Sequence, residues 1–290
     1  MGCEICPRRC GADRSVAPGL CGGGVLPRLA KASLHFGEEP CISGKNGSGT
    51  VFFSGCSLGC VFCQNHKIST GNFGKEVSPG RLKEIYRELA ARGAHNINLV
   101  NPTHWQEVIE TSLEGRPAVP FVWNSSGYER AESIRLLEGK IEIYMPDMKY
   151  LSEDLAERYS GARDYPRIAK AAIREMFRQR GPYVLGEDGL LKSGVLIRHL
   201  VIPGQIEHSF DVIDWVRDSF PKNSVIFSLM TQFTPCGDLY GYPEIDRTLT
   251  AEEYERVTDY LQYSGIEDGY TQEMTAAGDE LIPDFDLSGI

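Results

Sequence analysis

Three cysteines, Cys56, Cys60 and Cys63, fall within eight residues of the run SGCSLGCVFCQNHKIS. A C-x3-C-x2-C loop brings three thiolates to one point and supplies no fourth, which suits a cubane iron-sulfur cluster with one iron open to a further ligand. Two plainer readings compete with it. Cys56, Cys60 and Cys63 with His66 could close a tetrahedral zinc site, because zinc accepts three sulfurs and one imidazole. A disulfide is the other, but nine cysteines in a chain whose opening residues, MGCEICPRRCGADR, lack the apolar core of a secretory signal favour metal or catalytic use in a reducing compartment. A c-type haem site is excluded, since Gln64 stands where C-x-x-C-H needs histidine. Spacing and context together favour the open cluster over zinc.

A second block, Cys3, Cys6, Cys10 and Cys21, reads C-x2-C-P-x2-C-x10-C with glycines at 11, 19, 22 and 23 for tight turns beside the sulfurs. Four thiolates so spaced read as a closed site, either structural zinc or an auxiliary 4Fe-4S cluster, and spacing alone does not separate the two. Cys41 follows a short way on, and Cys236 has no neighbour in sequence.

The elements that must position these groups alternate. Strand-like runs at 50–53, 97–100, 119–123, 141–145, 195–201 and 225–229 are each followed by an amphipathic helical run, the first after the cysteine loop with Ser78 as cap and Pro79 in its first turn. Six β-α units with right-handed crossovers predict parallel pairing. Two units short of a closed eight-fold ring, they predict an α/β fold, a partial (β/α)6 TIM-like barrel over 46–290 with a C-terminal extension, preceded by a small Cys-rich appendage over 1–45. The site then belongs at the carboxyl ends of the strands. Polar residues gather there: the cysteine triad, Asn101-Pro102-Thr103-His104, Asn124-Ser125-Ser126-Gly127, Asp147 with Lys149, Arg198 with His199, and Thr231-Gln232. Any one of these could be a turn or cap residue, but six on one rim are harder to dismiss.

Composition narrows the classes. At 290 residues and 41% hydrophobic the chain can bury one large domain, and the net charge of −10 disfavours a polyanion held by phosphate contacts, so no nucleic acid is expected. No apolar run approaches membrane-spanning length, so no membrane is expected either, and a cytoplasmic location is.

The cysteine loop, with Gly55 before it and Phe62 before its last cysteine, resembles the signature of the radical S-adenosylmethionine (SAM) superfamily. CSLGCVFCQN, Asp147-x-Lys149 and IRHLVIPG (197–204) resemble most the pyruvate formate-lyase activating enzyme group, over roughly 50–235. The resemblance implies the radical SAM type of barrel, an oxidoreductase and anaerobic chemistry. SAM chelates the open iron, an electron from the reduced cluster cleaves it, and the 5′-deoxyadenosyl radical abstracts hydrogen, with the protein excluding water and stray donors. It also implies roles: Cys56, Cys60 and Cys63 ligate the cluster; Phe62 lies along adenine or is simply buried; where relatives have a Gly-Gly-Glu turn, the carbonyls of Asn101-Pro102-Thr103 or the Asn101 side chain accept the SAM ammonium. Asp147 and Lys149 serve the SAM carboxylate and ribose, and Arg198 and Val201 line SAM while His199 points outward into packing. Gln232 replaces a histidine, and Asn124 and Ser125 with Asp147 and the Met145 carbonyl match a monovalent-cation site in which Asn124 lacks the usual charge. His35, His66, His95, His104 and His208 are read as structural.

The leading expectation is an activase that installs a glycyl radical on a partner protein, fed by a flavodoxin or ferredoxin-type reductant. A radical SAM enzyme acting on a small molecule or peptide is the alternative, and a non-catalytic iron-sulfur electron carrier the third. The loop 234–249, rich in Gly, Pro and Tyr, is the expected rim that selects the substrate.

Overall fold

The computed structural model describes residues 2–272 and 283–290; part of the expected C-terminal extension, 273–282, lies outside them. In chain order the strands are β1 (Arg28–His35), β2 (Ser48–Phe53), β3 (Lys75–Glu76), β4 (Ile97–Val100), β5 (Phe121–Ser125), β6 (Ile143–Pro146), β7 (Val184–Leu185), β8 (Leu191–Leu200), β9 (Ile226–Met230) and β10 (Gly269–Thr271). The helices are α1 (Pro40–Ser43), α2 (His66–Ser69), α3 (Pro79–Ala91), α4 (Gln106–Ser112), α5 (Ala131–Arg135), α6 (Glu153–Ser160), α7 (Tyr165–Arg180), α8 (Ile206–Ser219) and α9 (Ala251–Ser264).

One mixed sheet runs in the order β10-β9-β8-β6-β5-β4-β2-β1-β3. From β2 to β10 along that order every pairing is parallel, whereas β1 pairs antiparallel with β2 and β3. The six expected strands are the continuous middle of this sheet. Their apolar character follows from burial on both faces, since parallel strands are covered by their own crossover helices; β2 is buried at all six positions. Among the described residues the order has two ends, β10 and β3.

Local chemistry sets the helices. Ser78 accepts the Arg81 amide at 3.1 Å and Pro79 opens α3, whose Leu82, Ile85, Tyr86 and Leu89 pack on the sheet. Thr250 and Glu253 form a reciprocal capping box on α9. Each such cap contributes about 1 kcal/mol.

Strand β1 is an addition to the expected elements, and with α1 it brings residues 28–43 into the body of the fold. Cys41 and Ile42 of α1 pack against Val122, Ile143, Met145, Leu196 and Ile226. Ile143 and Ile226 open their strands, so α1 closes the amino-terminal end of the sheet's interior with an apolar floor. The turn before it, Glu38-Glu39, stands above that floor.

Candidate functional site

A cavity of about 260 Å³ brings together Cys56, Cys60, Phe62 and Cys63 with Asn101, Asn124, Ser125, Asp147, Lys149, Arg198 and Gln232, and adds Glu38 and Glu39. The cysteines sit on the loop after β2, and the other expected residues at the carboxyl ends of β4, β5, β6, β8 and β9.

Backbone geometry aims the cysteine loop. Gly55 has φ 85°, and a Cβ there would collide with the Cys21 carbonyl oxygen, so only glycine fits. That carbonyl accepts the Cys56 amide at 3.1 Å. Asn101, itself left-handed at φ 59°, donates its amide to the Gly55 carbonyl and so ties the end of β4 to the loop. The Asn101 side chain thus spends its Nδ2 donor on this contact and keeps Oδ1 as an acceptor on the cavity wall.

Each sulfur of the triad receives one hydrogen bond. The Leu58 amide donates to Cys56 Sγ at 3.3 Å, the Ser160 hydroxyl to Cys60 Sγ at 3.0 Å, and the Ser69 hydroxyl to Cys63 Sγ at 3.3 Å. Burial pushes the Cys60 thiol up and the Cys63 thiol up to about 12. Without a metal these are protonated thiols rather than nucleophilic thiolates. Among the described residues no three His, Cys, Asp or Glu side chains are drawn together as a site for a metal ion. His66, the fourth ligand that zinc would need, is exposed on α2 and absent from the cavity wall, and none of the nine cysteines is in a disulfide. Three sulfurs, each with an outer hydrogen-bond donor, and a His66 turned out to solvent fit a cluster with one open iron.

Opposite the cysteines lies a network of charge. The Arg198 guanidinium donates to Asp147 at 3.0 Å, to Glu38 at 3.2 Å and to the Asn124 carbonyl oxygen at 2.7 Å, and Lys149 pairs with Asp147 at 2.7 Å. Asn98 and Asn124 donate to the other Glu38 oxygen at 2.9 and 3.2 Å. Burial would raise Asp147, but Lys149 and Arg198 outweigh it and hold the carboxyl below its usual range. Burial wins for Glu38 and Glu39, which are both raised. Where a monovalent cation was expected between Asn124 and Asp147, the guanidinium of Arg198 already bridges the two.

Alternation along the end of β8 decides who lines the cavity. Arg198 and Leu200 face it, whereas His199 is wholly buried between the Met148 carbonyl at 2.7 Å and the Ser209 hydroxyl at 3.0 Å. Val201 follows His199 into the core and is no lining residue, contrary to expectation. Phe62 is nearly buried, edge-on to Tyr159 and tilted against Phe233, with its ring forming part of the wall. Three side-chain oxygens of the wall, Gln232 Oε1, Gln272 Oε1 and Glu39 Oε2, have no hydrogen-bond partner, so the cavity offers unmet acceptors.

In the amino-terminal block, Cys3 and Cys10 share a thiol hydrogen bond, and Cys6 feels the charge of Cys3, Cys10 and Cys21. Cys41 stands apart in the floor, its thiol raised to about 11 by burial. Among the other histidines, His104 is buried with Nε2 2.9 Å from the Ser54 carbonyl, and His95 accepts the Asn46 amide. His208 meets the Lys149 carbonyl, and His35 reaches the cavity wall. No helix of the described residues is long and apolar enough to cross a membrane.

Residues 42–135 match the family of 4Fe-4S single cluster domains. An uncharacterized protein of Methanocaldococcus jannaschii is 29% identical over 275 residues, 90% of this chain and 74% of the relative. Among solved structures, Streptococcus suis SuiB bound to S-adenosylmethionine superposes with a TM-score of 0.50 at 14% identity, over 75% of this chain and 48% of SuiB. A second SuiB structure gives 0.50 at 13% identity, over 83% of this chain and 53% of that one. The chain thus spans about half the length of SuiB, and at this identity the likeness is one of fold. A domain of the pyruvate-formate lyase-activating enzyme from Bacteroides vulgatus matches at 0.37 and 13% identity, over 67% of this chain and 91% of that domain. A 4Fe-4S cluster domain on a fold shared with SuiB supports the radical SAM superfamily that the cysteine loop resembles.

Proposed function

We propose that the protein is a radical SAM enzyme whose Cys56, Cys60 and Cys63 hold a 4Fe-4S cluster and whose cavity holds SAM. The observation that carries this reading is the triad itself: three hydrogen-bonded sulfurs, with the candidate fourth ligand His66 exposed on α2, on the wall of a cavity whose far side is charged and hydrogen-bonding. When bound, the cluster supplies the electron that cleaves SAM to a 5′-deoxyadenosyl radical, which abstracts hydrogen from a substrate. The chain's own residues do the rest. Lys149, paired with Asp147, presents an ammonium beside Cys60 and Cys63 for the SAM carboxylate. Arg198 holds Asp147, Glu38 and Asn124 in place, while the unpartnered oxygens of Glu39 and Gln232 are left to meet amine and ribose donors. Phe62, backed by the buried Phe233, supplies an apolar wall for a purine and keeps water from it.

The substrate we propose is a partner protein that receives a glycyl radical, with a flavodoxin or ferredoxin-type reductant supplying the electron, in an anoxic cytoplasm. The loop 234–249 supports a macromolecular substrate. It is anchored where Phe233 packs on Phe62 and Gly237 approaches the Val61 carbonyl, and it holds Tyr240 almost fully in solvent. The test is anoxic reconstitution with dithionite and SAM: release of 5′-deoxyadenosine is expected, and its absence from iron-loaded protein overturns the reading. A glycyl radical signal on an added partner then separates an activase from an enzyme of small molecules or peptides.

A further inference from the structure

The amino-terminal block is not simply appended to the domain. Between Cys6 and Cys10 stands Arg8, and its guanidinium reaches four backbone carbonyls on two distant elements. It donates to Ser57 at 2.9 Å and Leu58 at 3.2 Å, both inside the triad loop, and to Ser160 at 3.1 Å and Gly161 at 2.6 Å at the carboxyl end of α6. Ser160 is also the residue whose hydroxyl bonds Cys60 Sγ. One side chain from the block therefore fixes both the loop that carries Cys56 and Cys60 and the helix end that completes the surroundings of Cys60. A planar guanidinium suits this bridging, and cations at a helix carboxyl end are favoured. Cys21 makes the second tie, since its carbonyl accepts the Cys56 amide at 3.1 Å, and both cysteines line one cleft. Arg14 makes a third, from Cys21 Sγ at 3.4 Å to the His104 carbonyl at 2.6 Å.

The thiols of the block lie near one another, short of a finished metal site. Backbone amides two residues beyond a cysteine, those of Arg8, Ala12 and Gly23, donate to Cys6, Cys10 and Cys21. Cys10 and Cys21 flank Gly19, their sulfurs 3.4 and 3.6 Å from where its Cβ would stand. Paired backbone bonds, from Cys3 to Ala12 and from Gly11 to Cys3, each 3.0 Å, close the turn. So short a segment has little core of its own, and a metal that draws thiols together contributes its binding energy as folding energy.

We propose that Cys3, Cys6, Cys10 and Cys21 form a second, closed centre for a thiophilic metal, a zinc ion or an iron-sulfur cluster, and that its occupancy fixes the triad loop through Arg8. The coupling rests on the triad holding the cluster described above; the second centre does not.

Full-length protein purified without oxygen tests both halves. In the variant Cys56→Ala/Cys60→Ala/Cys63→Ala, metal analysis should return one zinc or about four irons per chain, either of which supports the centre. Folded but metal-free protein overturns it. If that variant does not fold, Cys10→Ser should lower the metal content by the same amount from wild type, and unchanged content overturns the centre. Arg8→Ala keeps all seven thiols. A ferrous chelator should strip its triad iron, counted as the difference from the triple variant, about 10- to 100-fold faster than from wild type, the usual effect of losing an outer-shell partner. Arg8→Lys should not restore the rate, because one ammonium cannot bridge two pairs of carbonyls. A wild-type stripping rate in Arg8→Ala overturns the coupling. A triad without iron in wild type defeats the reading of the triad, while metal in the triple variant still upholds the second centre.

Discussion

Replacing Arg198 by methionine should cost the protein more than any other single change on the cavity wall. The guanidinium makes three hydrogen bonds, to Asp147, Glu38 and Asn124, and its side chain is only 15% exposed. Methionine fills much of the volume but leaves Glu38 with no cation among its hydrogen-bond partners, while Asp147 keeps Lys149. Removing one partner of a buried ion pair costs about 3 to 5 kcal/mol; because these groups border a cavity, about 3 kcal/mol is the better figure. At roughly 2 to 3 °C per kcal/mol for a chain of this size, the melting temperature should fall by about 6 to 9 °C. The loss should also depend on pH. Burial raises the Glu38 carboxyl above its unfolded value of about 4.3, so the native state keeps a proton that the unfolded chain gives up. Stability therefore falls as pH rises through that window, and loss of Arg198 widens it. The deficit of Arg198→Met should grow from pH 5 to pH 8, and Glu38→Gln/Arg198→Met should recover about 1 to 2 kcal/mol of it. Calorimetry on anoxically purified proteins measures this. A melting temperature within 1 °C of wild type, or a deficit that shrinks as pH rises, refutes the account of the network.

Ser160→Ala removes the hydroxyl on Cys60 Sγ and should lower the reduction potential of the triad's cluster by about 40 mV, the equivalent of roughly 1 kcal/mol for one electron; an unchanged potential in an EPR-monitored titration contradicts it. Gly55→Ala forces a Cβ against the Cys21 carbonyl at a left-handed φ and should destabilise by about 2 to 4 kcal/mol while lowering iron loading at the triad. Wild-type values for the urea midpoint and iron content would speak against the packing of block on loop. Burial holds His104 down to about 4 and His199 to about 3, so both are neutral in the native state and their contribution is complete only above the unfolded value of about 6.5. Stability should fall below pH 6.5 by up to about 1.4 kcal/mol per pH unit for each, and a urea midpoint constant from pH 7 to pH 5 contradicts that.

Much of this architecture is legible in the residues. The six parallel strands stand out as short apolar runs because each is buried on both faces, as β2 is throughout. Asp147 and Lys149, two apart beyond a strand end, share a side and both reach the cavity. Strand β1, RLAKASLH, is harder to see: Arg28 and Lys31 interrupt its apolar residues, and it pairs antiparallel outside the repeating units. Glu38 and Glu39 were missed for a related reason. Two acids before a proline look like a solvated turn, and only the packing of α1 into the floor buries them. The one signal was the pair itself, set between a strand-like run and a proline-led helix. Val201, which the resemblance implies as lining SAM, falls with His199 on the core side of the strand end, because alternation sends every second side chain there. The reach of Arg8 to Ser160 crosses 152 positions and has no trace in local sequence.

The central claim is that three sulfurs hold a cluster whose fourth iron takes SAM. EPR of the reduced, anoxically purified protein tests it most directly. We predict a 4Fe-4S signal that is lost in Cys60→Ala and that shifts on addition of SAM, with nitrogen coupling from 15N-labelled amino group. Zinc on the triad, or a cluster signal that SAM leaves unmoved, would contradict the account.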